Sequence, residues 1–317
     1  MPHYLDPKAD VVFKKIFGQH PHLLKSFLNA LLPLPEEGFI ESLEYLPSEQ
    51  APQIPAFKTT IVDVKCKDIQ GRTFIVEMQI QWTTGFMQRM LFNASKAYIR
   101  QLLKGEEFHL LKPVYGLGLI NSEFNPIPTE WYHHYKIVNV EKPQYEIKDL
   151  QLVFIELPKF KARTFADKKL QVLWLRFMSE LNSETRQIPR EWLEVPEIKE
   201  AVELAEEAAF TPGELEAYDR YWDAVSVERT LISGSYNSGL EQGIVIGEEK
   251  GIEKGIVIGE EKGIEKGIKI GESKQEAKAH AEKLIIARNL LNLGMEQHQI
   301  AKITGLSLVE IEALLPV

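Results

Sequence analysis

Cysteine is almost missing from this 317-residue sequence; Cys66 stands alone. A single thiol closes no internal disulfide and builds no thiolate metal cluster. A reducing, cytoplasmic setting is therefore expected. Long apolar runs are missing too. None approaches the ~18 residues of a membrane span, so no transmembrane helix and no membrane partner are expected. The opening residues MPHYLDPKADVVFKK hold no apolar stretch of the signal-peptide kind, and secretion is not expected. Positive charge is in short supply, with a formal net charge of −9, which argues at first against a nucleic-acid partner. There is no G-x-S-x-G, and neither Lys-Ser nor Lys-Thr follows Gly116-x-Gly118, so a nucleophile elbow and a phosphate loop are both excluded.

What is present is ordinary for a globular protein. Apolar residues make up 44% and charged residues 26%. The length suits about two domains. The acidic excess is uneven. Residues 1–120 hold 13 Lys and Arg against 12 Asp and Glu, whereas residues 121–240 hold 14 against 21. Only the first third could accept a polyanion, and only if its cations cluster and a metal assists.

Residues 6–32 have helical period, with Phe13, Ile16 and Phe17 on one side and Pro33 and Pro35 as a stop. TIVDVKCK (60–67) and TFIVEMQIQ (73–81) alternate around the turn DIQGR (68–72), which predicts a β-hairpin. Cys66 falls on its apolar side. Residues 84–104 return to helical period and end before Gly105. VYGLGLI (114–120) and LQLVFIEL (150–157) read as buried strands. The expected core is thus α/β and covers 1–165, followed by a helical extension at 166–235. From 236 to 275, GIVIGEEKGIEK occurs twice in succession and glycine recurs every four residues from Gly239 to Gly271. Glycine costs ~1 kcal/mol inside a helix relative to alanine. The segment reads either as a linker or as a helix that oligomerises through 239–271. Residues 276–317 read as short helices with turns at Gly294 and Gly305 and a Ser307 cap, which resembles a helix-turn-helix unit. Its final helix carries Glu310 and Glu312 and no basic residue, so a plain helical cap fits equally well.

The hairpin carries the chemistry. A turn at 68–72 sets Lys67 opposite Thr73 and Lys65 opposite Ile75, which brings Asp63 opposite Glu77. Facing residues stand about 4.5–5.5 Å apart at Cβ, and two carboxylates there repel. A divalent cation reverses that sign, and Mg²⁺ is commonly held by one or two carboxylates with water and substrate phosphate. Gln79 shares the face of Glu77 and can orient water or phosphate. Lys65 shares the face of Asp63 and can supply positive charge. In the following helix Arg89, Asn93, Lys96 and Arg100 share one side, suited to phosphate. Taken singly, the hairpin face and the helix stripe each also suit plain solvent exposure.

These residues resemble a known family. Asp10-Val11-Val12-Phe13-Lys14-Lys15-Ile16-Phe17-Gly18, then Asp63-Val64-Lys65, Gly71, Ile75-Val76-Glu77-Met78-Gln79, and Arg89, Ser95, Tyr98 and Gly105 resemble the Rpn family of recombination-promoting nucleases and transposases. Pro113-Val114-Tyr115 and Glu156-Leu157-Pro158-Lys159-Phe160 continue the likeness. The resemblance implies a restriction-endonuclease-like core of the PD-(D/E)XK type, a central mixed sheet flanked by helices. It implies a Mg²⁺-dependent endonuclease (Mn²⁺ or Ca²⁺ as substitutes) with DNA as partner. Asp63 and Glu77 would hold the metal, with Asp10 and Lys14 in support. Gln79 stands where many relatives in the wider superfamily carry a catalytic lysine, and Lys65 is the expected replacement. Arg89, Lys96, Tyr98 and Arg100 would meet phosphate or brace the hairpin. The alternative is a non-catalytic DNA-binding or scaffold protein that keeps this fold.

Overall fold

In a computed structural model, which describes residues 2–50, 60–162 and 169–315, the chain divides into two units, Met1–Ile232 and Ser233–Val317. The first opens with α1 (Asp10–Phe17) and α2 (Pro21–Leu31), separated by Gly18 and broken off before Pro33. The single helical run expected from the sequence is thus two helices. Then come β1 (Leu43–Tyr45), β2 (Glu49–Gln50), β3 (Thr60–Ile61), β4 (Val64–Asp68), β5 (Thr73–Gln79), α3 (Phe86–Ile99), β6 (Val114–Ile120), β7 (Tyr132–Val138) and β8 (Glu146–Glu156). α4 (Leu170–Glu180), α5 (Arg190–Leu193) and α6 (Pro196–Leu204) follow, then α7 (Pro212–Asn292), α8 (Gln297–Thr304) and α9 (Leu308–Glu312).

The hairpin forms with the expected register, Lys67 opposite Thr73 and Lys65 opposite Ile75. Gly71, at a positive φ of 81°, closes its turn, and Asp68 locks it through the Arg72 guanidinium. Six strands join in the order β1-β4-β5-β6-β8-β7. β5, β6 and β8 run parallel; the remaining pairings are antiparallel. Every residue of β6 is buried, as a parallel strand covered on both faces requires. This is the mixed, helix-flanked α/β sheet of restriction-endonuclease-like folds.

Alternation sorts the two faces. Val64, Cys66, Phe74, Val76, Leu117, Leu119, Val153 and Ile155 pack with residues of α1, α2, α4 and α6. Ile75, Leu152 and Phe154 pack with Phe86, Met90, Ala94 and Ala97 of α3. The helix comes close because of two glycines. A Cβ on Gly116 would stand 2.8 Å from Leu152 and 3.0 Å from the Met90 sulfur; one on Gly118 would stand 2.9 Å from Phe154 and 3.0 Å from Phe86.

α4 and α6 share the core of α1 and α2. The sequence-based boundary at 165/166 lies outside the described residues. The glycine repeat forms part of one continuous helix, α7, and its isoleucines are exposed. In the second unit, Gly294 and Gly305 take positive φ, and Ser307 with Glu310 forms a reciprocal capping box before α9. Ala287, Ile300, Leu306 and Ile311 make its small core. No helix among the described residues is long and apolar enough to cross a membrane.

Candidate active site

β4 begins one residue after Asp63, so Asp63 sits at a bend before the ladder rather than in the direct pair with Glu77 that the register extrapolates to. Its carboxylate instead accepts the Met78 backbone N–H at 2.7 Å. That bond holds Asp63 beside the last residues of β5. Burial pushes the Asp63 carboxyl up to about 6, against the pull of the Met78 N–H; the charges of Asp10 and Glu77 push it further and Lys14 offsets part of it. Asp63 therefore feels the charges of both other acids. Asp10, at the start of α1, pairs with Lys14 at 2.8 Å, both side chains half exposed.

Glu77 is buried and points to the α3 side of the sheet. Arg89 donates to its Oε2 from Nη2 at 3.0 Å and Nε at 3.2 Å, and Asn93 donates to Oε1 at 2.7 Å. Gln79 closes the arrangement: its Oε1 accepts from Arg89 Nη2 at 2.7 Å, while its Nε2 donates to the Gln81 carbonyl at 2.8 Å. Arg89 and Asn93 are four residues apart, one turn of α3, which is why both reach one carboxylate.

Lys65 goes elsewhere. It is half-buried, and burial together with the charges of Arg100 and Lys96 holds its ammonium below the usual lysine range. Lys96 buries its stem, with its ammonium 5.6 Å from the Phe92 ring centre, and it too is lowered by burial and by Arg100. Lys65, Lys96 and Arg100 thus form a basic cluster beside the hairpin, while the charges felt by Asp63 are those of Asp10, Glu77 and Lys14. Tyr98 belongs to neither group; its hydroxyl donates to Asp149 of β8 at 2.8 Å.

Two features escaped the sequence. Tyr221, in the first turns of α7, donates to the Lys8 carbonyl at 3.2 Å, and its hydroxyl is pushed up by burial and then by the charges of Asp63 and Asp10. The signal was an aromatic trio, Tyr218, Tyr221 and Trp222, at helical spacing. The second is fully buried Glu156, which accepts from the Phe124 N–H at 2.7 Å, from His133 at 2.8 Å and from Lys159 at 3.0 Å. Burial opposes its ionisation, but those bonds hold its pKa below the usual range. Neighbouring His134 bonds separately, to Gln151. Among the described residues no group of three or more His, Cys, Asp or Glu side chains is arranged to hold a metal.

The donor set at the hairpin end nonetheless suits a hard divalent ion. Asp63 and Glu77 offer carboxylate oxygens; burial chiefly lifts Asp63, and the charges of Asp10 and Glu77, which add to it, are what a cation relieves. A family model described as PD-(D/E)XK nuclease family transposase matches residues 7–232, and one described as Rpn/YhgA-like nuclease family, C-terminal HTH domain, matches residues 280–316. No curated protein and no solved structure matches the chain.

Proposed function

The chain belongs to the PD-(D/E)XK nuclease family transposases, and from that premise we propose that it is a metal-dependent DNA endonuclease acting in recombination or transposition. The observation that carries this is Asp63 held against β5 by the Met78 N–H, next in sequence to the buried Glu77, with the basic cluster of Lys65, Lys96 and Arg100 on the same hairpin and helix. Asp63 and Glu77 hold the ion, Mg²⁺ in the first place. Such an ion supplies a Lewis acid to a phosphate oxygen and lowers the pKa of water. Asp10 and Lys14 set the charge balance around Asp63. Lys65, Lys96 and Arg100 draw in the DNA backbone, whose contacts supply most non-specific affinity. Tyr98 braces α3 through Asp149. The Met78 N–H keeps Asp63 in place. With Cys66 buried and reduced, we assign the protein to the cytoplasm.

The helix-turn-helix unit supports DNA as the partner, although α9 carries Glu310 and Glu312 and no Lys or Arg. We further propose that the α7 repeat joins copies of the chain. Ile244, Ile252, Ile256, Ile264 and Ile268 are all exposed, and nothing lies within 4 Å of where a Cβ would stand on the glycines from Gly239 to Gly271. The test of the nuclease reading is nicking of supercoiled plasmid with Mg²⁺, Mn²⁺, Ca²⁺ or EDTA. Nicking with Mg²⁺ or Mn²⁺ that EDTA stops is expected. Folded protein that nicks the plasmid under none of these conditions supports the scaffold alternative.

A further inference from the structure

Gln79 and Arg89 have a role that the carboxylates alone do not explain. Three hydrogen bonds fall on the buried Glu77 carboxylate, two from Arg89 and one from Asn93. A positive charge thus already occupies the carboxylate that a metal ion would take. The Arg89 side chain is 45% exposed, so it has room to leave, whereas Glu77 at 5% has none. Arg89 also lies over Phe86, its guanidinium carbon 4.9 Å from the ring centre.

Gln79 fixes this arrangement. Its Nε2 is committed to the Gln81 carbonyl, which turns its Oε1 toward Arg89. A lysine at that position has no acceptor to offer and would repel the guanidinium. The glutamine is therefore the residue that a site served by an arginine from α3 requires.

Resting on the nuclease reading above, we propose that Arg89 is the resident cation of this site. Without metal it neutralises Glu77 and holds it in place. When a divalent ion takes the carboxylate, Arg89 is released toward the substrate phosphate, with Gln79 guiding it between the two positions. The positive charge that a lysine on β5 would carry is delivered from the helix instead.

Calorimetric titration of the full-length protein with Mn²⁺, beside plasmid nicking, tests this. Removing the competing charge in Arg89→Gln is expected to tighten Mn²⁺ binding about tenfold and to slow nicking about a hundredfold. A structural role alone would weaken both. In Gln79→Lys/Arg89→Gln the cation returns from the strand, and nicking is expected to recover above that of Arg89→Gln. Mn²⁺ affinity unchanged or weakened in Arg89→Gln, with native circular dichroism, would overturn the proposal. If wild-type binding is then still lost in Glu77→Gln, the failure is that of Arg89 and the metal reading stands. Mn²⁺ bound by neither wild type nor Arg89→Gln would overturn both.

Discussion

A carboxyl that burial and two neighbouring acids raise to about 6 is a strained element of the fold. Asp63 resists ionisation in the folded chain more than in the unfolded one, whose reference is 3.8. Its favourable contribution is therefore complete below pH ~4 and is lost as the pH rises through 6, a change of roughly 3 kcal/mol. Asp63→Asn is expected to unfold at higher urea than wild type at pH 8 and at the same urea at pH 4. A wild type that is the more stable at pH 8 would contradict this. The sequence made Asp63, Glu77 and Gln79 legible because alternation and the 68–72 turn fix the hairpin register. It did not show that Asp63 leaves the ladder for the Met78 N–H, since that depends on where β4 starts. Nor did it show that Lys65 joins Lys96 and Arg100 rather than the acids. Asn93 and Lys96 read as a polar, solvated stripe, yet both are buried, Asn93 against the Glu77 carboxylate and Lys96 along Phe92.

That close approach belongs to α3 and β6 together. Gly116 and Gly118 leave space that α3 fills with Met90 and Phe86. Gly118→Ala brings a methyl within 2.9 Å of Phe154 and 3.0 Å of Phe86; overpacking of this kind costs about 1–3 kcal/mol. The expected outcome is a lower urea midpoint and weaker nicking, since any shift of α3 carries Arg89 and Asn93 off Glu77. An unchanged midpoint would mean that α3 moves freely on the sheet. The buried strands β6 and β8 and the helix α3 were legible because their apolar runs and periods are clean. The edge strand β7 was not; YHHYKIV shows little alternation and its side chains are largely exposed. The short strand β1 was missed because three residues carry no period. The glycine repeat left order and flexibility open, because propensity opposes a helix that the structure forms throughout α7.

For the chain as a whole, α7 and a C-terminal helix-turn-helix unit follow the nuclease-family region. If the glycine stripe joins copies, light scattering of full-length protein gives a mass above the monomer's, and Gly247→Ala with Gly255→Ala and Gly263→Ala lowers it. Those changes favour an isolated helix by ~1 kcal/mol each, so a gain in helicity alongside lost mass separates packing from folding. An unchanged mass would remove the stripe from any interface. The net charge of −9 belongs mainly to the residues after 120, which is why a basic cluster can persist at the hairpin of an acidic protein. Asp63 and Glu77 are proposed above as a metal-dependent cutting site. This is tested most directly by nicking of supercoiled plasmid in Mg²⁺ or Mn²⁺ by wild type, Asp63→Ala and Glu77→Ala, each checked for native fold. Cleavage by wild type and a loss of about a hundredfold or more in each variant are expected. Equal cleavage by all three would contradict it.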